Sequence, residues 1–94
     1  MLRMKVRAHV LVSGIVQGVF FRSEARRLAR QCNVTGWIRN LTDGRVEAVF
    51  EGEEKNVEKM VEFCKKGPSS ARISSTQISL ENHTDEFSDF SIVW

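Results

Sequence analysis

Val6, Ala8, Val10 and Val12 alternate with Lys5, Arg7, His9 and Leu11, a period of two that predicts a strand with one buried face. Gly14 breaks that alternation, and from Phe21 the period changes. Phe21, Ala25, Leu28, Ala29 and Cys32 then recur as one apolar stripe on a helix. Asn33 can take the left-handed conformation that closes such a helix, and Gly36 releases a second extended run, Trp37 to Leu41. Thr42-Asp43-Gly44 reads as a turn, because Asp-Gly supplies the positive φ of tight hairpins. Val46, Ala48 and Phe50 alternate against Arg45, Glu47 and Glu51 in a third strand that Gly52 ends. Glu53 and Glu54 stand where a helix N-terminus favours negative charge, and Val57, Met60, Val61 and Cys64 form the second helical stripe. Lys65, Lys66 and Gly67-Pro68 terminate it. An extended region from Ile73 to Leu80 follows, then a polar loop with Asp85, Glu86 and Asp89, then the apolar run Phe90-Ser91-Ile92-Val93-Trp94.

Strand, helix, strand, strand, helix, strand is the split βαβ order of an α+β, ferredoxin-like βαββαβ sandwich. Its antiparallel sheet would carry both helices on one face and bury both stripes in one core. With 94 residues there is room for one domain, spanning 1–94.

Composition narrows the function classes. The net charge of +2 is too mild for a nucleic-acid partner but suits a protein that meets small anions. No stretch approaches the roughly 20 apolar residues of a membrane span. Met1-Leu2-Arg3-Met4-Lys5 has neither the apolar core nor the cleavage site of an export signal. A soluble, cytoplasmic protein is expected, with Cys32 and Cys64 serving as small buried hydrophobes on the helix stripes. Nothing in the pattern demands more than a monomer.

The predicted topology brings two segments together. The first and second strands run the same way, so the segment from Gly14 to Arg22 and the strand end at Asn40 share one sheet edge. With the third strand between them their backbones would lie roughly 10 Å apart, two strand spacings. Gly14 and Gly18 let the backbone turn and present N–H groups, and the first helical turn adds unpaired amides and about half a positive charge. Phosphate binds readily at such a place. Arg22 strengthens this reading: a cation in the first helical turn is repelled by the helix dipole, and an anion between them resolves the conflict. Its planar fork also matches phosphate oxygens. Arg26 and Arg30 continue a stripe with Arg22, which reads as a solvated face, since twelve acidic residues oppose it.

Other chemistries lack their residues. His9 and His83 are far apart, and no His/Cys/Asp group has metal-ligand spacing. There is no Gly-x-Ser-x-Gly elbow and no Walker-type Gly-Lys-Ser/Thr. Catalysis would have to rest on positioning and fixed charge, with no metal and no cofactor.

Two long motifs are more specific. Gly14-Ile15-Val16-Gln17-Gly18-Val19-Phe20-Phe21-Arg22 resembles the G-x-V-Q-G-V-x-F-R signature of acylphosphatases. Gly36-Trp37-Ile38-Arg39-Asn40-Leu41-Thr42-Asp43-Gly44-Arg45-Val46-Glu47 resembles that family's second signature, G-W-V-R-N-x-x-D-G-x-V-E. The resemblance extends over nearly the whole chain. It implies the ferredoxin-like fold and metal-free hydrolysis of small acyl phosphates to carboxylate and phosphate. By position it implies that the amides of Gln17, Gly18, Val19, Phe20 and Phe21 cradle the phosphoryl group with Arg22, and that Asn40 orients the attacking water. Trp94 stands where the family commonly has Tyr. A non-catalytic RNA- or protein-binding module of the same architecture is the main alternative, although Arg45 to Phe50 lacks the exposed aromatic run of RNA-binding sheets. Action on carbamoyl phosphate within a longer maturation protein is a third.

Overall fold

In the computed structural model, which describes residues 4–94, the elements are β1 (Lys5–Ile15), α1 (Phe21–Gln31), β2 (Thr35–Asn40), β3 (Val46–Glu53), α2 (Glu54–Lys66), β4 (Arg72–Glu81) and β5 (Phe90–Ile92). The beginning of the segment searched for an export signal, residues 1–3, lies outside the described residues. The sheet order is β4-β1-β3-β2-β5, so β3 does lie between β1 and β2. The predicted α+β, ferredoxin-like arrangement is the observed one, two helices on one face of the sheet.

One correction concerns the sheet. Its first four strands pair antiparallel, but β5 pairs parallel with β2, which makes the sheet mixed. The run 90–94, read as an apolar tail, supplies this fifth strand. Phe90 is wholly buried and stacks on Phe50 with ring centroids 5.5 Å apart and planes 9° from parallel. The Val93 amide donates to the Ile38 carbonyl at 2.9 Å. A strand of three residues has too few positions to show a period of two, and its partners lie some fifty residues upstream.

The core forms where the patterns meet. Ala8, Val10 and Val12 of β1 and Val46, Ala48 and Phe50 of β3 are buried against Phe21, Ala25 and Ala29 of α1 and Val57, Met60 and Cys64 of α2. Alanines on the α1 stripe let that helix approach the sheet closely. Burial of each larger side chain contributes roughly 1.5–3 kcal/mol. Cys64 behaves as the small hydrophobe expected, with burial pushing its thiol pKa up to about 12, whereas Cys32, at the end of α1, is only partly buried. Asn33 closes α1 with φ 56°, as its residue type foretold.

Two local readings change. Gly14 does not end β1: the strand runs on to Ile15, with its pairing to β4 shifting register between Ser13 and Gly14. Gly14 has φ 130°, and a Cβ there would collide with the Arg72 carbonyl, so the glycine serves a β-bulge rather than the loop. Glu51, on the polar phase of β3, is completely buried. The loop 82–89 folds over that outer face and satisfies it: Glu51 accepts from the amides of Thr84 and Asp85, the Thr84 hydroxyl and the Arg7 guanidinium. Burial by itself would raise the Glu51 pKa, and these donors outweigh it and hold the carboxyl below its ordinary value.

Candidate active site

The segment between β1 and α1 is held from two sides. The Gln17 side-chain amide donates to the carbonyls of Leu41 at 2.7 Å and Arg45 at 3.0 Å, tying the loop to the β2–β3 turn. On the other side the Ser70 hydroxyl donates to the Val19 carbonyl at 3.0 Å. In a planar trans peptide the N–H points opposite to its C=O, so this bond turns the Phe20 amide away from Ser70. Gly18 has φ 73° in open space, where a side chain would be conformationally strained.

The start of α1 is built unlike an ordinary helix end. Its cap position is Phe20, in the left-handed region at φ 64°, and no side chain caps the first turn. Serine, threonine, aspartate or asparagine would normally stand there and accept from the second or third amide. Glu24 is the first residue here whose N–H finds a backbone carbonyl, that of Phe20 at 3.0 Å. The amides of residues 17 through 23 find none among the described residues. That leaves a run of donors, including those of Gln17, Gly18, Val19, Phe20 and Phe21, beside the positive end of the helix dipole.

Arg22 stands in this first turn. Arg7, Arg27, Arg30, Arg39 and Arg45 are each paired with a carboxylate. Arg22 has no carboxylate partner among the described residues; its guanidinium lies 4.3 Å from the ring centroid of Trp94. Within the basic stripe on α1, Arg30 pairs with Asp89 as part of an ordinary charged surface, and Arg27, off the stripe, pairs with Glu24. A cleft of about 290 Å³ opens at the loop, with Val16, Gly18, Phe20, Arg22, Ile92 and Trp94 among its walls.

Asn40 closes β2, paired in register with Val46, one residue before the Leu41 carbonyl that receives Gln17. Its Oδ1 is buried and has no hydrogen-bond partner among the described residues. Leaving such an oxygen unpaired costs about 1–3 kcal/mol, and a water or ligand donor would offset that. The expected site residues are thus brought to one sheet edge, with the Gln17 tether linking loop and turn.

Larger hollows lie elsewhere. One of about 350 Å³ surrounds Glu51 at the opposite end of the sheet, where that carboxylate is already saturated. Another, of about 490 Å³, is an apolar groove between α2 and β4. Neither is lined by an arginine, although the start of α2, which borders both, likewise has no side-chain cap. Among the described residues no three His, Cys, Asp or Glu side chains group as metal ligands, and no helix is long and apolar enough to cross a membrane. Periodicity gave no hint of the Gln17 tether, the Ser70 anchor or the stacking of Trp94 on Arg22. All three depend on contacts distant in sequence; the prior signals were Gln17 within the first motif and Trp94 at a family aromatic position, which the resemblance set clear of the site and the structure places against Arg22.

A family model described as acylphosphatase matches residues 8–92. The chain belongs to the acylphosphatase family. It is a hydrolase of that class, and the family supports hydrolysis of acyl phosphates as its reaction. An acylphosphatase of Roseiflexus sp. (strain RS-1) is 57% identical over 88 residues, covering 94% of this chain and 95% of that protein. The solved structure of an acylphosphatase from Coxiella burnetii is 38% identical, with a TM-score of 0.88 over 95% of this chain and 93% of its own. That of Bacillus subtilis superposes at a TM-score of 0.90 with 31% identity, covering 95% and 99%.

Proposed function

We propose that the chain hydrolyses small acyl phosphates without a metal, holding the phosphoryl group on the loop amides of Gln17 to Phe21 and on Arg22 while Asn40 orients the attacking water. The water oxygen bonds to phosphorus as the bridging P–O bond breaks, and the acyl group departs as a carboxylate. The conjugate acid of that leaving group has a pKa near 4, so no general acid is required. A loose phosphoryl-transfer transition state leaves the protein two tasks, positioning and charge stabilisation. Amides and one guanidinium perform both without reorganising. Asn40 is no base at neutral pH, but its amide oxygen can accept from water and aim it. All of these residues come from one copy of the chain, and no cofactor enters the reaction.

The observation that carries this reading is the uncapped start of α1: consecutive free amides beside an arginine with no carboxylate partner among the described residues. Such a site fits a phosphoryl group better than it fits an RNA-binding surface. The test is benzoyl phosphate hydrolysis by the purified protein in EDTA. Full activity in EDTA is expected, with Arg22→Ala lowering turnover by roughly 10²–10³ or more. Inhibition by EDTA, or near-normal turnover of the variant, contradicts the assignment.

A further inference from the structure

We propose that Phe20 and Trp94 form an acyl-group subsite that selects flat, apolar acyl chains, aromatic ones above all, over acetyl. This inference rests on the phosphoryl site proposed above and adds what lies beside it. Phe20 is 75% exposed and Trp94 is 94% exposed, yet both line the cleft that also contains Arg22. Val16 and Ile92 complete an apolar wall between them. Phe20 holds its exposed ring on a left-handed backbone, a conformation uncommon for a residue of its bulk. It also occupies a position that the first motif leaves open, so the phosphate-binding pattern does not call for an aromatic there.

Geometry lets the two functions coexist. Trp94 meets the guanidinium of Arg22 through a ring contact at 4.3 Å. The contact is made to the face of the indole ring, and none of the guanidinium's five N–H donors is bonded to a carboxylate among the described residues. Arg22 therefore keeps its donors for phosphate oxygens while Trp94 limits its swing. In an acyl phosphate the carbonyl carbon is one bridging oxygen from phosphorus. An acyl group attached to a phosphoryl group held at Arg22 thus reaches the cleft wall directly. Covering exposed aromatic and apolar surface with a flat ring removes it from water, and aromatic pairing adds to that gain. A methyl group covers little of it.

The experiment compares kcat/KM for benzoyl phosphate and acetyl phosphate in the wild type, Trp94→Ala, Trp94→Phe and Phe20→Asn. Asparagine tolerates the left-handed backbone, and both side chains are exposed, so the fold should survive; melting curves check this. Intrinsic reactivity of the two substrates cancels when the benzoyl-to-acetyl ratio of each variant is divided by that of the wild type. We expect that ratio to fall about tenfold in Trp94→Ala and severalfold in Phe20→Asn, chiefly through KM for benzoyl phosphate, with Trp94→Phe close to wild type. An unchanged ratio in both truncations overturns the subsite. So does an equal loss on both substrates in Trp94→Ala, which would leave the ring a support for Arg22 alone. A wild type that hydrolyses neither substrate contradicts the proposed reaction itself, whereas one that hydrolyses both with no change of ratio among the variants contradicts only the subsite.

Discussion

The Gln17 side chain donates to the Leu41 carbonyl at 2.7 Å, joining the loop that opens α1 to the residue that follows Asn40. Neither carbonyl it reaches depends on Gln17 for the turn, because Leu41 and Arg45 already bond each other through the Leu41 amide at 2.8 Å. Gln17→Leu should therefore leave the hairpin intact and free the loop. We expect a stability loss of about 1–2 kcal/mol for two part-buried bonds, together with a several-fold rise in both KM for benzoyl phosphate and the inhibition constant of inorganic phosphate. Urea unfolding and steady-state kinetics measure the two effects. A variant that loses stability but keeps wild-type phosphate inhibition would detach Gln17 from the site.

Asn40 should separate activity from stability. Its buried Oδ1 has no partner among the described residues, so Asn40→Ala removes an unpaired polar atom. The variant is expected to be as stable as the wild type, or slightly more so, while kcat falls by roughly 10²–10³ and phosphate still binds. Thermal melts and phosphate inhibition on the same preparation check this. A strongly destabilised variant would mean that Asn40 is a structural turn residue.

The two glycines of the first motif should fail differently. A Cβ at Gly14 meets the Arg72 backbone, whereas one at Gly18 meets open space and pays only for φ 73°. Gly14→Ala is expected to lower stability well beyond the ~1–2 kcal/mol that a left-handed backbone costs at Gly18→Ala. Gly18→Ala should instead raise KM, because it lies among the free amides. Equal effects of the two substitutions on both quantities would undo this division.

Glu51 sets an acid limit on the fold. Its carboxyl is held below the ordinary glutamate value, so the stability it contributes is complete above the unfolded pKa of about 4.3 and is lost as pH falls through the lower folded value. Melting temperature should decline below about pH 4 in the wild type. Glu51→Gln should lower stability at neutral pH by about 2 kcal/mol or more and flatten that acid decline. A variant with wild-type stability and the same pH profile would show that loop 82–89 is held by other contacts.

Much of this molecule was legible in its sequence, and the exceptions share a cause. The alternation of Val6 to Val12 and the stripes Phe21–Cys32 and Val57–Cys64 are local signals, and each gave its element. Arg22 at a helix start was legible because its charge opposes the dipole there. Glu51 was misread because alternation reports one buried face and cannot foresee a loop, thirty-odd residues later, covering the other. Gly14 was assigned to the loop because a glycine near a strand end looks alike whether it turns the chain or lets a neighbouring strand approach. Trp94 gave no cue in the periodicity, only its place where the family commonly has Tyr, since its contact depends on β5 placing it beside α1.

In the proposed reaction water, aimed by the protein, attacks phosphorus and not the acyl carbon. Hydrolysis of benzoyl phosphate in ¹⁸O-labelled water with EDTA present tests it directly, with the products read by mass spectrometry. The label should appear in inorganic phosphate while benzoate remains unlabelled. Label in benzoate, or no turnover in EDTA, would contradict the account.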